Sequence, residues 1–298
     1  SKIYAYYDNG TTSGGLPIQA FAPISITDGG ATGSDIITVQ TGSNFLGSIP
    51  ATITQKMPQS SSELNVSFTG GFNPNDLILV SQGGNCTLME VTQVQNAALK
   101  LQHNPGGSPT YNPPTSYQNS PSPLPPPPAP QDPWPPYFSG AKILNMGQLT
   151  ISNFSINTNG NLQSSASQLG AAAVSQDLVK DIVSLQAQYG IAPAGGETVS
   201  NWVDATGSWA APSAADVKRI KAIRLVVIAR SGKKELSNVT GQCTNASGAV
   251  NNGPCAWNDS TANPAPVIDL SANPDWRKYR YRVYQTIIPL RNVIWADL

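Results

Sequence analysis

The chain has 298 residues, with 17 basic and 17 acidic side chains and therefore no formal net charge. Only 11% of its residues are charged, against roughly 25% in an average soluble domain. This composition argues against a nucleic-acid partner, which would need a basic face to neutralise phosphates.

Residues 1–103 have the pattern of short β-strands separated by turns. Gly-Gly, Asn-Pro and Gly-Gly-Asn sequences interrupt runs that are rich in β-branched or large apolar side chains. These runs lie at 36–39, 64–68, 77–80 and 88–92. We therefore predict a β-rich first part.

Residues 104–137 differ sharply in composition. They contain more than half of the chain's 26 prolines, including four in succession at 125–128. Proline lacks the N–H that a sheet ladder needs, so this segment cannot be a central strand. We predict a proline-rich surface insertion, either extended or disordered. A dedicated ligand for a proline-recognition domain is the alternative.

Two strands are predicted in the second part, which begins at residue 138. Residues 183–191 alternate between apolar and small or polar side chains, which predicts a half-buried antiparallel strand. Before them, Leu178 and Ile182 are four residues apart behind Ser175, which is compatible with a short capped helical turn. The apolar run at 223–229 predicts a central strand that is covered on both faces.

The last predicted strand, at 279–284, alternates tyrosines with arginines. We expect its tyrosines to pack inward and its arginines to face water.

The sequence offers few groups for catalysis or metal binding. Its single histidine, His103, stands beside the proline-rich segment, and we expect it to be exposed on a loop. The sequence has no nucleophile elbow, no phosphate-binding loop and no zinc-ligand spacing. We therefore expect a protein that is not an enzyme and has no metal or cofactor.

Three cysteines are present. Cys243 and Cys255 flank a polar loop with no core of its own, so we predict a disulfide between them in an oxidising compartment. Two unrelated thiols are the alternative. Cys86 is then unpaired: it is either a small buried apolar residue or the partner of a cysteine upstream of this chain, and we favour the second.

Several motifs in the second part occur in an order that resembles the PilW minor pilins of type IV pili. The family-like segments are the L-V-x-x-[IV]-x-x-L-Q-x-Q-Y-G stretch within 177–190, a connection bearing Trp202 and Trp209, the strand at 220–231, and the tail at 279–292 with its L-R-N ending. The first part fits more loosely, through residues 33–39 and the Asn85-Cys86 turn. J-type pseudopilins of type II secretion share the order of these motifs.

The resemblance implies an α+β fold that is strongly β-dominated, a pilin-like globular domain of antiparallel sheets. We expect one domain at 1–298, with strands in 1–103, the insertion at 104–137 and the family-like half at 138–298. It also implies an N-terminal membrane helix, which we expect to be absent from this chain together with its cleavage site.

The function implied is that of a minor pilin, which helps to prime pilus assembly and sits at the pilus tip. Its partners would be other minor pilins, a tip adhesin, and the major pilin through the N-terminal helix. It would face the periplasm from the inner membrane before assembly and be extracellular afterwards. The alternatives are a J-type pseudopilin, a secreted β-rich adhesin module, and an enzyme of unknown type.

Edge strands and the aromatic surface around Trp202 and Trp209 are the candidate partner contacts. Aromatic side chains are enriched at the centres of protein interfaces. The alternative is that both tryptophans belong to the core.

Overall fold

The structure of the protein is a computed structural model. It describes residues 2–4, 23–43, 49–57, 63–83, 85–104, 111–112, 137–168, 172–257, 260–261 and 263–290. The proline-rich insertion predicted at 104–137 lies outside these residues except at 104, 111, 112 and 137. The same holds for the Arg291-Asn292 end of the tail motif.

The described chain is strongly β-dominated, which confirms the predicted fold class. Its single α-helix, α1, spans only Ala214–Val217, and two 3₁₀ turns lie at Gly207–Trp209 and Trp276–Lys278. The strands of the first half are β1 (Lys2–Tyr4), β2 (Ile24–Thr27), β3 (Ile36–Gly42), β4 (Ala51–Thr52), β5 (Glu63–Asn65), β6 (Leu77–Gln82), β7 (Asn85–Glu90), β8 (Gln93–Gln95) and β9 (Lys100–Gln102). Those of the second half are β10 (Lys142–Gly147), β11 (Leu149–Ile156), β12 (Leu162–Gln168), β13 (Val174–Val179), β14 (Ile182–Ile191), β15 (Asn201–Val203), β16 (Ile220–Arg230), β17 (Cys243–Thr244), β18 (Val250–Asn251) and β19 (Tyr281–Pro289).

Three larger sheets organise these strands. The first sheet has the order β1-β7-β6-β10-β4, the second β13-β12-β11-β3-β2, and the third β15-β14-β16-β19. All pairings within them are antiparallel except the parallel contact of β1 with β7. Strands from the first half, β2 and β3, extend the second sheet through β11, so the two halves share a sheet.

Apolar clusters lie on both faces of the first and third sheets. The first sheet packs on one face against a three-stranded sheet of order β5-β9-β8, around Leu64, Ile78 and Leu101. The inner face of the third sheet and the second sheet enclose a cluster that includes Tyr189 and Ile223. A covering segment that follows β18 packs Ala256, Ile268, Leu270 and Trp276 against the outer face of the third sheet.

The structure corrects two predictions around β14. The helical turn predicted near Ser175 is wrong, because residues 174–179 form the exposed strand β13, which pairs with β12. The half-buried strand predicted at 183–191 is wrong in its burial, because β14 is buried along both faces. The central position of β16, by contrast, is confirmed by its pairing with β14 and β19.

The tail strand follows the prediction only in part. Arg280 and Arg282 are exposed, as expected. Tyr281 is half-buried, and its hydroxyl donates to the Trp276 carbonyl at 2.9 Å. Tyr284, however, is 52% exposed, so the inward orientation predicted for the tyrosines is wrong at this position.

None of the helices in the described residues is long and apolar enough to cross a membrane.

Candidate interaction site

An apolar groove lies between the second and third sheets. Its volume is about 530 Å³. Its lining combines apolar side chains of both sheets with the residues that flank them: Pro23, Ile24, Ile37, Val39, Gln40, Thr41, Phe154, Leu162, Leu185, Ile223, Leu225, Val227, Ile288, Pro289 and Leu290. Gln40 and Thr41 are the only polar residues in this lining. Such a groove suits an apolar protein surface, and it has no side chain for acid–base chemistry.

Tyr189 ties the two sheets together beside the groove. The backbone N–H of Ile26 in β2 donates to the Tyr189 hydroxyl at 2.6 Å, across the boundary between the sheets. The ring is only 1% exposed, and burial raises the pKa of the hydroxyl. The tyrosine of the Q-Y-G motif therefore fixes the position of β2 against β14.

Asp35 makes a second tie between the two halves. Its carboxylate accepts the N–H of Gly29 at 2.9 Å and that of Ala187 in β14 at 2.7 Å. The side chain is 1% exposed, and burial raises the pKa of its carboxyl group to about 6. One buried carboxylate thus holds the turn before β3 onto the third sheet.

A stack of one arginine between two tryptophans lies on the outer face of the third sheet. The Arg224 guanidinium lies 5.0 Å from the ring centre of Trp202 and 4.5 Å from that of Trp257. Its Nε donates to Oε1 of Gln188 at 2.6 Å, and Nη2 donates to the Pro264 carbonyl at 3.1 Å. Through Trp257 and Pro264, the stack holds the covering segment against the strand pair β14–β16.

Gly190 provides the space that Trp202 occupies. The two residues are directly paired between β14 and β15, and a Cβ at position 190 would lie 2.7 Å from the Trp202 ring. That distance is too short for any larger residue. The three residues of the Q-Y-G sequence therefore make three adjacent contacts. Gln188 accepts a hydrogen bond from Arg224, Tyr189 accepts one from Ile26 in β2, and Gly190 leaves the space that Trp202 fills.

The structure places the two predicted contact residues on opposite faces of the third sheet. Trp202 lies with Gly190 on the outer face, whereas Trp209 lies 6.4 Å from the ring of Tyr189 on the inner face. Successive side chains of a strand point to opposite faces. Both tryptophans are half-buried, so each keeps some exposed surface, but they do not form one joint surface. A partner contact at either residue stays a prediction.

The predicted bridge between Cys243 and Cys255 is present, with an S–S distance of 2.04 Å. It closes the hairpin of β17 and β18 beside the segment that covers the outer face of the third sheet. Inside the hairpin, the Asn251 amide donates to Oδ1 of Asn245 at 2.7 Å. The bridge therefore stabilises a loop that already has internal hydrogen bonds.

Replacing both bridge cysteines with serine is expected to lower the free energy of unfolding by about 2 kcal/mol. Closing a loop of this length contributes about 3 kcal/mol in the chain-entropy model, and the hairpin's own hydrogen bonds reduce what is lost. Urea unfolding of the oxidised wild type and the double variant measures the difference. A double variant as stable as the wild type would contradict the prediction.

The remaining cysteine and the histidine are both buried. Cys86 packs in the cluster around Leu79 and Leu88, and burial raises the pKa of its thiol. Its burial agrees with the first of the two alternatives given for it. His103 is 0% exposed, so the expectation of an exposed loop histidine is wrong. Neither ring nitrogen has a hydrogen-bond partner among the described residues, and burial lowers the pKa of the imidazole to about 4.

Within the described ranges, no group of three or more histidine, cysteine, aspartate or glutamate residues could hold a metal ion. The candidate interaction features are therefore the apolar groove, the hydrogen bonds of Tyr189 and Asp35 that join the two halves, and the stack of Arg224 between Trp202 and Trp257.

Comparison with known proteins relates the second part of the chain to a family. A family model described as type IV pilus-assembly protein W matches residues 151–292. The matched range contains the Q-Y-G motif, Arg224 and all of β19. No curated protein and no solved structure matches the chain. The family match confirms the resemblance inferred from the sequence and implies involvement in type IV pilus assembly.

Proposed function

From the assignment of this chain to the PilW family of type IV pilus-assembly proteins, we propose that it is a minor pilin that helps to prime assembly and sits at the pilus tip. It acts by contacts with other proteins and not by turnover. Its partners are other minor pilins and a tip adhesin. It faces the periplasm from the inner membrane before assembly and is extracellular at the tip afterwards.

The apolar groove is the observation that carries this proposal beyond the family match. Two sheets would normally exclude water by packing their inner faces directly against each other. Here they leave about 530 Å³ between them, lined by side chains such as Phe154, Leu185 and Leu225. A site of this size with no titratable side chain in its lining provides a binding surface, while it lacks the groups that a hydrolase or transferase would need.

The firm attachment of the sheets on either side supports a binding role. The Tyr189 and Asp35 ties connect the second sheet and its neighbouring turn to β14. A groove between rigid walls loses little conformational entropy when it is filled, which favours affinity. Assembly of a first subunit layer requires such preformed surfaces.

Deleting the gene is expected to reduce surface pili strongly, while the major pilin is still made and stored in the membrane. A priming subunit lowers the barrier to starting a filament, so its loss affects assembly and leaves pilin synthesis intact. Electron microscopy counts the pili, and immunoblotting of membrane and sheared fractions measures the pilin. The complemented strain is the control. Normal piliation combined with a defect in protein secretion would contradict the proposal and favour a pseudopilin.

A further inference from the structure

The strand β19 forms a long, unprotected edge of the third sheet. Its nine residues pair with β16 in continuous antiparallel register from Tyr281 to Pro289, without a bulge. In the part of the chain that the structure describes, no strand pairs with its other side. The opposite edge strand, β15, has only three residues. A sheet edge of this length normally carries a device that blocks pairing with another chain.

The hydrogen bonds at the two ends of β19 show which backbone groups face outward. The N–H of Leu290 donates to the Lys221 carbonyl, and the N–H of Ser231 donates to the Arg280 carbonyl. Even-numbered residues of β19 therefore point their backbone groups toward β16, and odd-numbered residues point theirs away, because the direction alternates along an antiparallel strand. The outward residues are Tyr281, Val283, Gln285, Ile287 and Pro289.

This free edge has almost none of the usual protection. Pro289, which has no N–H to offer, stands at the end of the strand, so the N–H groups of the four preceding outward residues remain available. Arg282 is the only charged residue in the strand, and no carboxylate pairs with it among the described residues. The other long exposed edge, β13, differs because its pairing with β12 contains a register shift, which distorts that edge.

The side chains of β19 join this edge to the groove. Ile288 is 42% exposed and lines the groove together with Pro289 and Leu290. On the opposite face of the strand, Ile287 is 56% exposed. Exposed apolar side chains on both faces of an edge strand would be covered by the alternating side chains of an added strand.

We propose that β19 receives an extended strand from another minor pilin, which adds to the third sheet and lies along the rim of the groove. The inference rests on the proposed function for the identity of the partner. The outward N–H and C=O groups require an extended backbone. Ile287 and Ile288 favour apolar side chains beside them. Arg282 lies over the Tyr284 ring at 5.4 Å and has no carboxylate beside it among the described residues, so it favours a carboxylate at its end of the added strand.

A pair of substitutions at one position tests this pairing. Ile287→Pro removes an outward N–H and places a ring at the edge, yet it breaks no hydrogen bond to β16. Ile287→Thr is the matched control, because it reduces the apolar surface but keeps the N–H. Each variant and the wild type are titrated by calorimetry with the purified periplasmic domains of the other minor pilins from the same organism. Circular dichroism confirms that each variant is folded.

The proline variant is expected to weaken the dissociation constant about tenfold or more, and the threonine variant less than about threefold. Amide exchange at Val283, Gln285 and Ile287 should slow in the wild-type complex. Wild-type affinity in the proline variant, or slowed exchange only at other strands, would overturn the inference and leave the proposed function intact. Self-association of the wild type through β19, dissolved by Ile287→Pro, would also overturn it in favour of a second copy. A wild type that binds none of the minor pilins would defeat both proposals.

Discussion

Replacing Arg224 with alanine is expected to lower the free energy of unfolding by about 4 kcal/mol. The guanidinium is 4% exposed, is flanked by two tryptophan rings, and donates hydrogen bonds to Gln188 and the Pro264 carbonyl. Removing one partner of a buried charged network costs about 3 to 5 kcal/mol, because the remaining polar groups stay buried without their partners. Urea unfolding followed by circular dichroism measures the change.

Two further arginine variants identify the cause of this loss. Arg224→Lys keeps the charge, but an ammonium group cannot lie flat between two rings while donating in two fixed directions, so we expect a loss of about 2 kcal/mol. Arg282→Ala removes an exposed arginine from the same sheet and should change stability by less than about 0.5 kcal/mol. Equal losses in Arg224→Ala and Arg282→Ala would show that the stack contributes nothing specific.

The predictable part of the fold is the part that local side chains determine. The apolar run at 223–229 is sufficient to predict the central strand β16, which the structure extends to Ile220–Arg230. A continuous apolar run is typical of a strand that is covered on both faces. The disulfide was predictable for a similar reason, because both cysteines flank one short polar loop that needs a constraint.

Prediction failed where a distant partner determines burial. The polar residues Gln186 and Gln188 suggested that one face of β14 meets water. Instead, the Gln186 amide donates to the Gly33 carbonyl at 2.6 Å, and Gln188 donates to Asp204 at 2.7 Å. Hydrophobic periodicity reports which side chains are polar, and it does not report whether a distant group satisfies them.

The candidate site could not be predicted as a unit. Its lining extends in sequence from Pro23 to Leu290, and it comes from strands that meet only when β2 and β3 join the second sheet. No local pattern indicates that two apolar sheet faces stay apart. The Q-Y-G and arginine motifs were visible in the sequence, but their contacts with Trp202 and Ile26 depend on the tertiary fold.

Two buried titratable groups are expected to give the stability of this protein opposite dependences on pH. Burial raises the pKa of Asp35 from 3.8 to about 6, so the folded protein holds a proton there that the unfolded chain releases. The stability from this difference is fully present below pH 3.8 and is lost as the pH rises through about 6. The shift corresponds to about 3 kcal/mol.

The buried His103 has the opposite effect on stability over nearly the same pH range. Burial lowers its pKa from 6.5 to about 4, so the folded protein keeps the imidazole neutral where the unfolded chain would bind a proton. The stability from this difference is fully present above pH 6.5 and is lost as the pH falls through about 4. This shift also corresponds to about 3 kcal/mol, so the two contributions largely cancel in the wild type.

Single substitutions should therefore reveal each contribution. Relative to the wild type, Asp35→Asn is expected to gain about 3 kcal/mol of stability as the pH rises from about 4 to about 6.5, because only the His103 contribution remains. His103→Leu should lose a similar amount over the same range, and the double variant should follow the wild-type profile. Urea unfolding at half-unit pH steps provides the measurement. Each substitution also alters contacts, which changes the free energy of unfolding by an amount that does not depend on pH. The test is therefore the slope of the free energy of unfolding against pH. Parallel profiles for all four proteins would show that neither buried group changes its protonation on folding.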